Sequence, residues 1–187
     1  MGFQLLASRL LSPYFGSAID VWACLISTFL AAFSVGAMLG GSISNLPGPA
    51  RWRWQLGCAI GAVLSLVLTA RFGRGLVDTI AVNLEPGKLP VLLSCAVLFF
   101  LPVLSLSAFT PQCVQYLASR GTPPGKASGL VYGVSTLGNI AGVMLTAFVL
   151  IPHAPVSTLL NIWLAVAVVS LIALLALLHA PVPSSSS

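Results

Sequence analysis

Long apolar runs alternate along the chain with short polar connections. Five of the runs are long enough to cross a bilayer, because a hydrocarbon core of about 30 Å takes roughly 20 helical residues. Lipid offers no hydrogen-bond partner to backbone groups, and the alternation typical of a β-barrel is absent, so each run predicts a transmembrane α-helix. The predicted spans cover approximately residues 18–41, 54–70, 89–110, 129–151 and 156–178.

Residues 1–11 form a sixth apolar run that is too short to span a bilayer. A turn with interfacial aromatic residues follows at residues 12–16, so we expect a half-span or an interfacial helix at the N-terminus. The third long run continues past residue 110 and contains Pro102 and Pro111, which predict a kinked extension. The connection 71–88 carries five charges and is long enough for a short helix lying in the interface.

These elements predict an all-α polytopic integral membrane protein with five transmembrane helices, resembling a half-transporter bundle. We expect one transmembrane domain over residues 1–180 and a flexible tail over residues 181–187. The composition agrees, since 58% of the residues are hydrophobic and 6% are charged. Such a chain can be neither a soluble globular domain nor a disordered one.

The net charge of +5 comes from basic residues scattered between the apolar runs. This distribution indicates membrane topology and gives no reason to expect a nucleic-acid partner. Lys and Arg divide four against four between the two membrane sides. Charge alone therefore does not orient the chain.

Polar side chains recur at helical spacing on two of the spans. On the fourth span a stripe with spacings of 3, 4, 3 and 4 runs from Tyr132 to Thr146 and includes Gly142. On the first span a similar stripe begins at Asp20, whose place near a turn favours a solvated or helix-capping carboxylate. Two interpretations stay open, a solute pathway and a buried network of interhelical hydrogen bonds. The candidate residues are Asp20, Ser27, Ser34, Gln112, Tyr132, Ser135, Asn139 and Thr146.

Glycines recur in pairs four residues apart. In a membrane such pairs allow two helix backbones to approach closely, so we expect them at helix contacts within the chain or with a partner. The pairs are Gly36/Gly40, Gly57/Gly61, Gly129/Gly133 and Gly138/Gly142.

The sequence contains no constellation typical of an enzyme. There are no paired carboxylates, no Ser/His/Asp set and no H-E-x-x-H motif, so we expect no catalysis and no cofactor. His153 and His179 stand near the ends of different segments, which gives no metal site. The four cysteines lie in apolar runs, where they are typical of small hydrophobic residues.

Two stretches carry a family resemblance. Residues 7–17 (ASRLLSPYFGS) continue through Val21 and Trp22 to Gly40 and Gly41, and residues 128–142 (SGLVYGVSTLGNIAG) continue to residues 148–152. With residues 109–111 (FTP), they resemble the membrane domain of bacterial fused transporter/spermidine-synthase-like proteins, over about residues 2–178. The resemblance implies the bacterial inner membrane, with the C-terminus and the loops around residues 51–53 and 120–126 in the cytoplasm.

The resemblance does not extend to catalysis. In that family a cytoplasmic aminopropyltransferase-like domain usually follows the membrane part, and this chain stops where it would begin. Residues 1–11 correspond to the end of the family's first span, and Gln115 stands where an arginine is common. The resemblance therefore gives no reason to expect polyamine synthesis.

Two functions remain as hypotheses. The first is a non-catalytic membrane subunit that packs with other membrane subunits or with itself in the bilayer, or anchors a separately encoded soluble enzyme. The alternative is a half-transporter that oligomerises to move a small solute, for which a cationic, polyamine-like molecule is one candidate. A transporter predicts a polar cavity at mid-membrane, lined by Tyr132, Asn139 and either Asp20 or Gln112.

Overall fold

A computed structural model describes residues 2–85 and 87–179, and this part of the chain folds into six helices without a strand. Helices α2 to α6 are each long and apolar enough to cross a membrane, so the predicted all-α, multi-pass membrane architecture is confirmed. The tail predicted over residues 181–187 lies outside the described residues. The helices are α1 (Gly2–Phe15), α2 (Ile19–Ser44), α3 (Gly48–Asn83), α4 (Lys88–Ser119), α5 (Pro124–His153) and α6 (Val156–His179).

The long helices alternate in direction, which defines two ends of the bundle. We call the end that carries the α2–α3 turn, the α4–α5 turn and His179 the turn end. The other end carries the start of α2 and the start of α4, and we call it the Asp20 end. Helix α1 runs towards the Asp20 end, where the Tyr14 hydroxyl lies 3.4 Å from the Arg74 carbonyl oxygen.

Helix α3 continues through residues 71–83, where the sequence suggested a separate interfacial helix. The physical reason is that the buried face of α3 continues to Val77, beyond the apolar run that ends near residue 70. Val77 is fully buried, and a Cβ placed on Gly73 would lie 3.4 Å from Leu10 of α1. Because α1 packs on this face, the charged residues occupy the remaining faces and the helix need not end.

Helix α4 lies between α2 and α3 and contains a π-helical segment, Ala96–Phe100, directly before Pro102. Proline has no N–H group, so the carbonyl of Leu98 one turn earlier lacks its usual helical donor. The hydroxyl of Thr69 on α3 lies 2.9 Å from this carbonyl and 2.9 Å from the Ser65 carbonyl of its own helix, and it shares its single proton between the two. The carbonyl group that Pro102 leaves without a helical donor therefore forms a hydrogen bond between α3 and α4.

The core is an aromatic cluster where α1 meets the long helices. The Phe3 ring packs edge-on against Phe99 of α4 at 5.7 Å between centroids, and it lies 6.1 Å from Phe29 of α2. Trp163 of α6 approaches Phe3 to 6.4 Å. Tilted and edge-to-face aromatic pairs stabilise such a core beyond the area they bury.

Helix α5 contributes little to this core. Ala127 and Thr146 are the only buried residues along its length, and residues 132–141 are exposed without interruption. Its most extensive contacts with the rest of the bundle lie near its beginning, beside α4, and in its second half, beside α1. The helix is therefore attached at two places and open between them.

Candidate functional site

The candidate residues of α2 do not join into an inward-facing stripe. Ser27 and Ser34 lie on the exposed surface of the helix, because the opposite face, with Leu25 and Ala32, is buried. The proposal of a buried network is therefore wrong for these two serines within this chain. Asp20 lies at the helix start, 54% exposed, and its carboxylate is 3.8 Å from the Lys88 ammonium.

The stripe of α5 is divided between a covered half and an open half. The covered half is at the start of α1, where a Cβ on Gly2 would lie 2.9 Å from the Gly142 carbonyl oxygen and 2.9 Å from the Thr146 hydroxyl. The open half continues along the same face towards the turn end. We call it the open face of α5, and its residues are Tyr132, Ser135 and Asn139.

The opposite face of α5 is apolar and fully suited to lipid. Leu137 is 69% exposed and Phe148 is 71% exposed, and they lie about 180° around the helix from Ser135 and Thr146. Helix α5 thus has an apolar face that is suited to contact with lipid and a polar face that is suited to contact with protein or water. Helix α1 covers the second half of the polar face, whereas Tyr132 and Ser135 in the first half lie exposed.

Two buried donors mark the boundary between these halves. The Thr146 hydroxyl and the Trp163 indole nitrogen have no hydrogen-bond partner, although both lie beside Gly2. An apolar cavity of about 280 Å³ extends from Phe3 towards the turn end, past Phe33 and Phe109. Trp163 lines this cavity together with residues of α2, α3 and α4.

The glycine pairs lie in different surroundings. A Cβ on Gly36 would collide with Ser107 and Leu104 of α4, and one on Gly40 would collide with the backbone of Ala108. A Cβ on Gly61 would lie 3.4 Å from the Ser105 hydroxyl, and one on Gly142 would lie 3.9 Å from Trp163. For the remaining four a Cβ would meet nothing within 4 Å, and these are Gly57, Gly129, Gly133 and Gly138.

A buried pair of amides connects α3 and α4 near the turn end. The Gln55 side-chain nitrogen donates to the Gln112 side-chain oxygen at 2.7 Å, and the Gln112 nitrogen donates to the Ala108 carbonyl at 2.8 Å. The exposed fractions are 2% for Gln55 and 3% for Gln112. The remaining Gln55 oxygen has no partner, which costs about 1–3 kcal/mol when such a group is left dry.

These amides form the inner wall of a cavity of about 580 Å³ that we call the vestibule. Gln112 lies seven residues before Ser119, so the amides lie about 10 Å inside the end of α4. Arg51 and Trp52 line the vestibule from α3 and His179 lines it from α6. The Trp52 and His179 rings meet edge-on with centroids 4.1 Å apart.

Sequence reasoning found Gln112 but missed its partner. Gln55 stands among apolar residues of a predicted span, and a polar side chain in that position is itself a signal of a buried contact or a site. Trp163 was missed as well, because an indole in an apolar helix gives no sign that its N–H will lack an acceptor. Within residues 2–85 and 87–179 no three His, Cys, Asp or Glu side chains group as metal ligands would.

Comparisons of the chain with protein-family models, with curated proteins and with solved structures give no match.

Proposed function

We propose that this protein is a non-catalytic integral membrane subunit that accepts a transmembrane helix of a partner protein along the open face of α5. The observation that supports the proposal is the divided stripe of α5. Helix α1 covers Gly142 and Thr146, whereas Tyr132 and Ser135 on the same face lie exposed at membrane depth.

A helix explains this face better than lipid does. Polar groups in hydrocarbon are costly and normally face other helices or a wet cavity. The hydroxyl groups of Tyr132 and Ser135 can both donate and accept hydrogen bonds, so a helix with small polar residues on its packing face would satisfy them.

The proposal includes the place of the protein in the cell. The resemblance to the bacterial transporter/spermidine-synthase-like membrane domain supports the inner membrane with the turn end in the cytoplasm. Arg51, Arg53, Arg120 and Lys126 then face the cytoplasm, and the partner is either another membrane subunit or a protein that anchors a soluble enzyme.

Site-specific photo-crosslinking in the native membrane tests the proposal. A photoreactive side chain at position 135 points out of the open face, and one at position 137 points from the apolar face at the same depth. We expect a discrete protein adduct from position 135 and none from position 137, with the partner identified by mass spectrometry. Equal labelling at both positions, or lipid adducts alone, would contradict the proposal.

The half-transporter is the second candidate, and the vestibule is the observation that favours it. Tyr132 and Asn139 lie on the outer surface of the chain, so a mid-membrane path lined by them requires a second copy. In that case the adduct from position 135 has the mass of a dimer of this chain. Solute uptake into vesicles that is unchanged by Asp20→Asn and Asn139→Ala would count against this candidate.

A further inference from the structure

The vestibule carries a second inference, which goes beyond the proposed function and does not depend on it. The two glutamines have a fixed direction. A backbone carbonyl only accepts hydrogen bonds, so Ala108 requires the nitrogen of Gln112 on its side. The Gln112 oxygen must then face Gln55 and accept from its nitrogen.

This direction decides the chemistry of the free atom. The Gln55 oxygen is an acceptor without a partner, on a residue that is 2% exposed and lines the vestibule. Rotating the amide of Gln55 or Gln112 would place two like groups against each other and lose a bond. The inner wall of the vestibule therefore selects a ligand that donates a hydrogen bond.

Arg51 at the mouth of the vestibule favours a negatively charged ligand. The Arg51 side chain is held in place by donating from Nε and Nη2 to the Leu46 carbonyl, at 3.3 and 3.0 Å. Arg51 stands four residues before Gln55 on the same helix, so the two groups share one face about 6 Å apart along the axis. The remaining N–H groups of Arg51 are suited to a carboxylate or a phosphate.

No carboxylate opposes Arg51 within the described residues of the turn end. The three acidic residues all lie towards the other end of the bundle, on the first turn of α2, near the end of α3 and just after it. A cationic solute would therefore be repelled at the mouth, whereas an anion would be attracted. The acidic residues are Asp20, Asp78 and Glu85.

We propose that the vestibule binds a small, water-soluble organic anion that carries a hydroxyl group. Its anionic group lies at Arg51 and its hydroxyl donates to the Gln55 oxygen. A headgroup of a bilayer lipid fits less well, because its hydroxyls lie on the water side of its phosphate. Here the Gln55 oxygen lies deeper in the vestibule than the charge of Arg51. The volume of about 580 Å³ is large enough to hold a small organic anion.

Calorimetric titration of the purified full chain in gentle detergent tests the inference, with glycerol 3-phosphate as the probe. Glycerol lacks the anion, inorganic phosphate lacks the hydroxyl arm, and putrescine carries the opposite charge. We expect saturable binding of glycerol 3-phosphate, with each of the other three weaker by about tenfold or more.

Variants assign the binding to the vestibule. Arg51→Gln and Gln55→Met are each expected to weaken binding by about tenfold or more, whereas Arg53→Gln, a loss of the same charge on an exposed neighbour, changes it less than about twofold. Arg51→Lys retains part of the affinity. Since Arg51 is partly exposed, its variants stay informative if Gln55→Met does not fold.

Three results would overturn the inference. They are equal affinity in Arg51→Gln and Arg53→Gln, tighter binding of putrescine than of glycerol 3-phosphate, and saturable binding only of phosphatidylglycerol presented in nanodiscs. The last result would assign the vestibule to a lipid headgroup.

Discussion

Helices α2 and α5 carry the same small-residue pattern, and the structure places the two patterns in opposite surroundings. Gly36 and Gly40 touch the backbone of α4 so closely that a methyl group has no room. Gly129 and Gly133 have nothing within 4 Å of a Cβ position. A glycine pair therefore shows that a helix can be approached closely, and the third dimension decides whether another helix of this chain does so.

A matched pair of alanine substitutions on α2 and α5 is expected to show the largest difference in stability. Gly40→Ala forces a methyl group into the Ala108 backbone and is expected to lower the free energy of unfolding by about 3 kcal/mol. Gly133→Ala has open space and a better helix former, so it should leave stability unchanged or raise it by less than about 1 kcal/mol. Denaturant titration of both variants in the same detergent measures the two free energies of unfolding. Equal losses in the two variants would contradict the assigned difference between α2 and α5.

The amide pair provides the next largest effect, because it belongs to the packed region. Gln112→Leu leaves both polar ends of Gln55 without a partner and should cost about 2 kcal/mol. The double variant Gln55→Leu/Gln112→Leu removes both groups and is expected to be more stable than Gln112→Leu alone. A double variant whose loss equals the sum of the single losses would show that the two amides do not interact.

The contact between Thr69 and Leu98 is expected to contribute less. Thr69→Val removes the donor to the Leu98 carbonyl while keeping the shape of the side chain, and should cost about 1 kcal/mol. Thr79→Val is the control, since the exposed Thr79 hydroxyl donates to the Gly75 carbonyl of its own helix. Both variants are compared by thermal unfolding, and identical midpoints would remove the assigned role of Thr69.

The smallest effect is expected at the Asp20 end. Asp20→Asn breaks an exposed ion pair with Lys88, and such pairs stabilise proteins by less than about 1 kcal/mol. Lys88→Gln should give the same small change, and added salt should weaken the pair further. A much larger loss in unfolding free energy would mean that Asp20 has a partner outside this chain.

The candidate site was predictable in part. The 3.6-residue period placed Tyr132, Ser135 and Thr146 on one face of α5, and the structure keeps them there. The period could not say which portion of that face α1 covers, because this depends on where Gly2 meets α5. The Gln55–Gln112 pair joins residues 57 positions apart, and no local pattern relates them.

The helices, like the candidate site, were predictable only in part. Apolar runs are long enough to reveal each span, but they underestimate α3, which continues over charged residues because Gly73 and Val77 pack against α1 and α4. The prolines of α4 predicted a kink, and the structure has a π-helical segment, Ala96–Phe100, shortly before Pro102. That a donor from α3 satisfies the Leu98 carbonyl was not predictable from the sequence, since the donor belongs to another helix.

The amino-acid sequence alone indicates a multi-pass membrane protein with five helices that are long and apolar enough to cross a bilayer. Lipid allows the backbone only helices and closed barrels, and the sequence lacks the alternation of a barrel, so length and hydropathy suffice for that conclusion. Which polar residues are covered, and that half of the polar face of α5 is exposed, follow from the packing of the helices. Burial depends on which helix lies beside which, and a one-dimensional pattern fixes the face of a helix without fixing its neighbour.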